Sequence, residues 1–168
     1  MSFDSHDRSL AQDRSADAYN RTLAETTDAT RSERDPQRVT ARVVEILKRE
    51  MPHYSWVGIY LLDGNELVLG PFLGKPSPHT RIPIGSGICG AAARQRETII
   101  VDDVNADPRY LACSLETKSE IVVPIMSGPR VLGEIDIDSD QPAAFGADDK
   151  RLLESVASLL APVIERAH

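Results

Sequence analysis

Cysteine is nearly absent from this chain. Its 168 residues contain two, Cys89 and Cys113, too few for a disulfide framework and without the CxxC spacing of a zinc site. Long apolar runs are missing as well, and nothing approaches the about 18 uninterrupted residues that a membrane span needs. Basic residues are outnumbered, 19 Lys and Arg against 26 Asp and Glu, for a formal net charge of -7. That argues against nucleic acid as a partner, because phosphate binding needs a basic face, and against an anionic membrane surface. The N-terminal stretch MSFDSHDRSLAQDRSADAYN is polar with early acids, unlike a signal or transit peptide. The expected location is the cytoplasm, with thiols reduced.

What is present is an ordinary globular balance, 41% hydrophobic and 27% charged, enough for one core. Residues 1–34 are a polar segment with few large apolar side chains, expected as a tail or a loosely docked helix anchored by Leu10, Tyr19 and Leu23. The domain proper is expected over 35–168. Asp35-Pro36 signals an N-cap followed by proline in the first turn, and Val39, Val43, Ile46 and Leu47 follow at helical spacing. Ser55–Leu62 and Glu66–Phe72 flank a turn at Asp63-Gly64-Asn65 and predict a hairpin. Gly74–Gly87 is predicted as an irregular loop, Ile88–Gln95 as a short helix and Thr98–Val101 as a short strand. A second long loop spans Asp102–Lys118. Glu120–Met126 and Arg130–Ile137 predict another hairpin, and a final helix buries Leu152, Leu153, Val156, Leu159, Leu160 and Val163. Hairpin connections imply an antiparallel sheet in an α+β domain. Its terminal helices would cover one face, and a pocket would lie beneath the two loops on the other.

Three groups of residues could carry chemistry. Cys113 sits in the polar loop LACSLETKSE; a lone cysteine is more often inert than nucleophilic, but this one has a polar setting, with Arg109, Lys118 and His79 as candidate proton carriers or cations. Glu120 opens an apolar strand, while Glu134, Asp136 and Asp138 alternate with Ile135 and Ile137, so the acids share one face. They form either a solvated acidic edge or a cluster suited to a cationic group such as an α-amine. Trp56 and Tyr60 share a face of the first strand, as core or as an aromatic pocket wall. Gly85-Ser86-Gly87 lacks the lysine of a phosphate loop and belongs to loop geometry.

The segments HYSWVGIYL, ELVLGPFLGK, RIPIGSGICG, LACSLETKSEIVVPI and VLGEIDIDS, in this order, resemble the GAF-domain free methionine-(R)-sulfoxide reductases from about His53 to Phe145. The resemblance implies a GAF-like fold and thiol-dependent reduction of free L-methionine (R)-S-oxide. It casts Cys113 as the nucleophile attacking the sulfoxide sulfur. Glu120, Asp136 and Asp138 are then the substrate clamp, with Trp56 and Tyr60 near the substrate methyl group. It implies no metal and no bound organic cofactor, with electrons from thioredoxin or a small thiol. One departure stands out. The family's resolving cysteine falls at His79 here, which leaves Cys89 or an external thiol to condense with the sulfenic acid on Cys113. The alternatives are a non-catalytic GAF module that binds a small ligand, or a redox sensor built on Cys113 and Cys89. Pairing of two chains through the C-terminal helix is a further expectation, though the same apolar stripe fits packing on its own sheet.

Overall fold

The computed structural model describes residues 4–112 and 114–167, with side chains from residue 11 onward, so Cys113 and the Leu10 side chain lie outside the described residues. Helix α1 spans Asp4–Ser32, α2 Pro36–Glu50, α3 Gly87–Gln95 and α4 Ala147–Glu165. The strands are β1 Trp56–Asp63, β2 Glu66–Leu73, β3 Arg81–Pro83, β4 Ile99–Val101, β5 Ser119–Ser127 and β6 Arg130–Ser139. They form one antiparallel sheet in the order β3-β2-β1-β6-β5-β4, which places β6 at the centre, flanked by β1 and β5.

Local chemistry sets the helix ends. The Asp35 side chain accepts from Gln37 N at 3.0 Å and Pro36 occupies the first turn, so α2 starts where its free N–H groups are satisfied or missing. Val39, Val43, Val44 and Leu47 then face the sheet in one core with Val57 and Ile59 of β1, Ile121 and Val123 of β5 and Ile135 and Ile137 of β6. Each fully buried aliphatic side chain contributes about 1.5–3 kcal/mol. Helix α4 lays Leu152, Leu153, Val156, Leu160 and Val163 into the same core, so that stripe is covered within its own chain.

Helices α1, α2 and α4 thus cover one face, and α3 lies on the other against β3, β5 and β6. Helix α1 packs on α2 and α4, with Ala18, Tyr19 and Leu23 against the core. Leu159, expected on the buried stripe of α4, is only half-buried and outside the core, and two loops also differ from the sequence-based expectation. The loop 74–87 contains strand β3, whose Ile82 pairs with Leu67, and the loop 102–118 contains a single 3-10 turn at Val104–Ala106. Among the described residues, no helix is long and apolar enough to cross a membrane.

Candidate active site

Alternation along β6 builds the site. Ile135 and Ile137 enter the helix-side core, which turns Glu134, Asp136 and Asp138 to the opposite face. Because β6 is central, these acids are not a solvated edge. Glu134 is 0% exposed, Asp136 3% and Asp138 3%, and Glu120 on β5 is 5% exposed. The register lays out three rows across the sheet: Trp56, Asp138 and Glu120; Gly58, Asp136 and Val122; Tyr60, Glu134 and Pro124. Strand pairing therefore brings the three predicted acids and both aromatics onto one surface.

Trp56 lies flat along that surface. A Cβ on Gly58 would stand 2.2 Å from the indole, and one on Gly74 would stand 2.6 Å from it, so both positions have to lack side chains. Phe72 stacks on the ring at 5.7 Å, and the indole N–H donates to the Lys75 carbonyl at 3.0 Å. Tyr60 donates its hydroxyl to the His79 carbonyl at 2.9 Å. The His79 ring in turn has Nε2 3.1 Å from the Ala112 carbonyl, which can only accept. Lys75 reaches Glu116 at 2.6 Å, and Ser114 also donates to Glu116. Loop 74–80 is thus fastened to β1 on one side and, on both flanks of Cys113 in sequence, to loop 111–118 on the other.

Of the candidates for a partner to Cys113, His79 is the one whose ring contacts its loop. Arg109 instead grips Asp107 through two bonds, Nη2–Oδ2 at 2.7 Å and Nε–Oδ1 at 3.0 Å. Lys118 is exposed, and its backbone N–H donates to the Ser139 carbonyl at 2.8 Å.

Cys89 is carried on the first turn of α3 and points into the acids. Its Sγ lies 3.9 Å from Glu120 Oε1, and the Cys89, Glu120 and Asp136 ligand atoms all fall within 4.8 Å of one another. Burial pushes the Cys89 thiol well above its usual range, and Asp136, Glu134 and Glu120 push it further. The acids are affected in the same direction. Burial holds Glu134 well above the ordinary carboxyl range, with Asp136 adding to it. Asp138 is raised well above the range by burial, then by Asp136 and Asp140. Asp136 is raised by burial against the opposing hydrogen bonds of Glu120 and Cys89. Both oxygens of Glu134, Oδ1 of Asp136 and Oδ1 of Asp138 are buried without a hydrogen-bond partner among the described residues. Unsatisfied buried acceptors are costly, and an incoming cation would satisfy them. An ammonium group, with three N–H donors, fits this set. A metal ion would have three donor atoms here, but it would first have to displace the protons that burial retains.

The space beside these groups comes in two parts. Cys89, Tyr60, His79, Glu120 and Asp136 line an inner pocket of about 20 Å³, room for about one water. Trp56, Asp138, Lys75 and Ser114 line an outer cavity of about 310 Å³. A wider groove of about 520 Å³ between α4 and β5 carries surface groups such as Lys150 and Glu154, with Thr98 already donating to Glu154 at 2.8 Å. Buried, unpartnered acceptors distinguish the acid pocket from it.

Two features escaped the sequence reading. Glu134 was legible as a member of the acid face from the period of two, but nothing local marked it as the deepest of the acids. The His79 ring as a fastener between loops depends on a contact across 33 residues, which no local pattern carries.

The GAF domain pattern matches residues 35–164. A free methionine-R-sulfoxide reductase of Saccharomyces cerevisiae is 47% identical over 110 residues, 63% of this chain and 61% of that protein. One from Escherichia coli is 34% identical over 124 residues, 74% of each. The structure of the free methionine-R-sulfoxide reductase from Neisseria meningitidis, in complex with its substrate, superposes with a TM-score of 0.83 at 38% identity, covering 88% of both chains. The chain belongs to the GAF domain family, as a homologue of the free methionine-R-sulfoxide reductases.

Proposed function

We propose that this chain is an oxidoreductase that reduces free L-methionine (R)-S-oxide to methionine, with Cys113 as the nucleophile. The observation that carries the reading is the row structure of the sheet. It aligns buried Asp136 and Asp138, each with an unpartnered Oδ1, beside Glu120 on the face shared by Trp56 and Tyr60, beneath the loop that contains Cys113. The acids take the substrate ammonium and orient the sulfoxide, and the aromatics pack on its methyl end. The Cys113 thiolate attacks sulfur; the S–O bond breaks with uptake of one proton, methionine leaves, and the sulfenic acid remains on cysteine. The reaction so written needs neither a metal nor a bound organic group. Because the inner pocket holds about 20 Å³, substrate entry requires the two loops to part.

The sulfenic acid then condenses with a second thiol and releases water. Cys89 sits among acids that keep it protonated, which makes it a slow nucleophile. An outside thiol is therefore the favoured partner, a small thiol or a thioredoxin-type protein that also supplies the electrons. The test is an NADPH-coupled assay with purified protein, thioredoxin or a small thiol, and the separated sulfoxide epimers. Consumption of the R epimer that is lost in Cys113→Ser is expected; absent turnover, or full turnover in that variant, overturns the reading. A binding or sensing role is favoured only by His79 standing where a resolving cysteine is expected. Methionine binding without sulfoxide consumption would support it.

A further inference from the structure

Glu134 is the one acid of the cluster that the reaction described above does not use. It is fully buried, with neither oxygen meeting a hydrogen-bond donor among the described residues, in the row behind Asp136 on the same face of β6. Around it stand Asp136 on its own strand, Cys89 from α3 and Tyr60 across from it on β1, while β5 contributes Pro124 opposite and Glu120 further along. None of these is a cation. The Tyr60 hydroxyl is directed to the His79 carbonyl, and the polar group that acts on the Glu134 carboxyl against its burial is the Cys89 thiol. A carboxyl in such surroundings keeps its proton, because ionising it would place a second charge beside Asp136 in a dry site. An acid held neutral for structure alone is an unexpected choice, since an aliphatic side chain would pack there at lower cost.

We propose that Glu134 is the proton store of the site, a carboxylic acid that passes its proton through Asp136 to the sulfoxide oxygen as Cys113 attacks. The proposal rests on the reductase reading. Cys113 loses its thiol proton to solvent beforehand, and its sulfur then gives two electrons to the substrate sulfur. The substrate S–O bond breaks, the oxygen moves to cysteine, and the proton from Asp136 ends on the resulting sulfenic acid. Glu134 reprotonates Asp136 by way of the Cys89 thiol, which reaches both carboxyls, and solvent refills Glu134 once the loops part. Glu134 acts through Asp136 and does not touch the substrate.

Two measurements test this. Infrared spectroscopy with isotope-labelled glutamate reads a protonated carboxyl directly in the resting, unaltered protein. The expected result is a carboxylic-acid band at about pH 7, well above the ordinary glutamate range, that is missing from Glu134→Gln. Single-turnover methionine release, run without reductant so that the second thiol plays no part, then gives the pH profile of the attack. In Glu134→Gln the alkaline limb is expected to begin about one pH unit earlier, with the rate at about pH 8 down roughly tenfold or more and methionine affinity within about twofold. Glu134→Asp should restore part of the rate. A purely structural role would lower stability or affinity without moving the profile. Absence of the band, or parallel profiles for the two proteins, overturns the proton store while leaving the reductase reading intact. Absence of any sulfoxide turnover by the unaltered protein overturns both.

Discussion

The two faces of the sheet each bury carboxyl groups and treat them in opposite ways. On the helix side, Asp149 accepts from the Tyr54 hydroxyl at 2.8 Å, from Gly146 N at 3.0 Å and from Tyr19 at 3.4 Å, and pairs with His53 Nε2 at 2.7 Å. Burial works against its charge, but the His53, Gly146 and Tyr54 bonds outweigh that and hold the carboxyl below its usual range. On the loop side, Glu134, Asp136 and Asp138 are buried with oxygens that find no donor, and all three are raised. A satisfied buried acid fastens elements together; here it joins α1, the segment leading into β1 and the first turn of α4. Unsatisfied ones cost the free protein stability, and a cation docked against them would lower that cost.

If that contrast holds, replacing one acid from each face should separate activity from stability. The largest effect is expected for Asp136→Asn, with kcat/KM lowered roughly 100-fold or more through loss of the acid that hands a proton to the sulfoxide oxygen. Its unfolding midpoint in urea should stay the same or rise, since a poorly solvated carboxylate has gone. Destabilisation of Asp136→Asn with activity retained would reverse the assignment of the two faces.

Asp149→Ala should do the opposite. It removes the bond that Asp149, in the first turn of α4, accepts from the N-cap Gly146 N–H, worth about 1 kcal/mol, and leaves the buried Tyr54 hydroxyl without its acceptor, a further penalty of about 1–3 kcal/mol. Thermal melts should show a fall in Tm of roughly 5–15 °C for a chain of this size. Turnover of the fraction still folded, measured well below the new Tm, should be close to normal. A matching loss of kcat would mean that the helix-side network communicates with the pocket.

How far the sequence reveals these faces depends on how regular the local pattern is. Strict alternation in GEIDID marks the two sides of β6, and the hairpins fix its neighbours, so the acids can be placed together before any fold is known. Helix α1 is harder to see because its buried positions, Thr22, Thr26 and Ala29, are small or polar, and only half-buried Tyr19 and Leu23 add large apolar or aromatic side chains to its inward face. Thr22 offsets its buried hydroxyl by donating to the Ala18 carbonyl at 2.8 Å. Strand β3 is set by pairing with Glu66, Leu67 and Val68 rather than by its own proline-bearing tripeptide. The depth of Glu134 follows from the burial of a whole layer, which a local pattern does not encode.

The contrast also has a pH signature. Carboxyls raised above their unfolded values, as Glu134, Asp136 and Asp138 are, stabilise the fold fully below about pH 4, and that contribution is lost as pH rises through the raised values. Asp149, lowered below its unfolded value, stabilises above about pH 4 and loses its contribution as pH falls through the lowered value. Stability from urea unfolding should therefore decline toward alkaline pH in the free protein. Asp138→Asn should flatten the alkaline side of that curve and Asp149→Asn the acidic side. The same change in both variants would show that one shared process governs both limbs.

The smallest effect belongs to the loops that close over the acids. Hydrogen bonds from Lys75 and then Ser114 pull the Glu116 carboxyl down to about 2, yet both partners in the Lys75–Glu116 pair are well exposed. Salt screens such a pair, and the pair would resist any parting of the two loops. Lys75→Met should therefore change kcat/KM by only about twofold at low ionic strength, with the difference vanishing at about 0.5 M salt. The indole anchor survives this substitution because it uses the backbone carbonyl of residue 75, at 3.0 Å, and not its side chain. A loss much larger than twofold that persists in salt would mean that the loop pair orders the segment containing Cys113, and the line between a rigid acid floor and a separable loop cover would have to be redrawn.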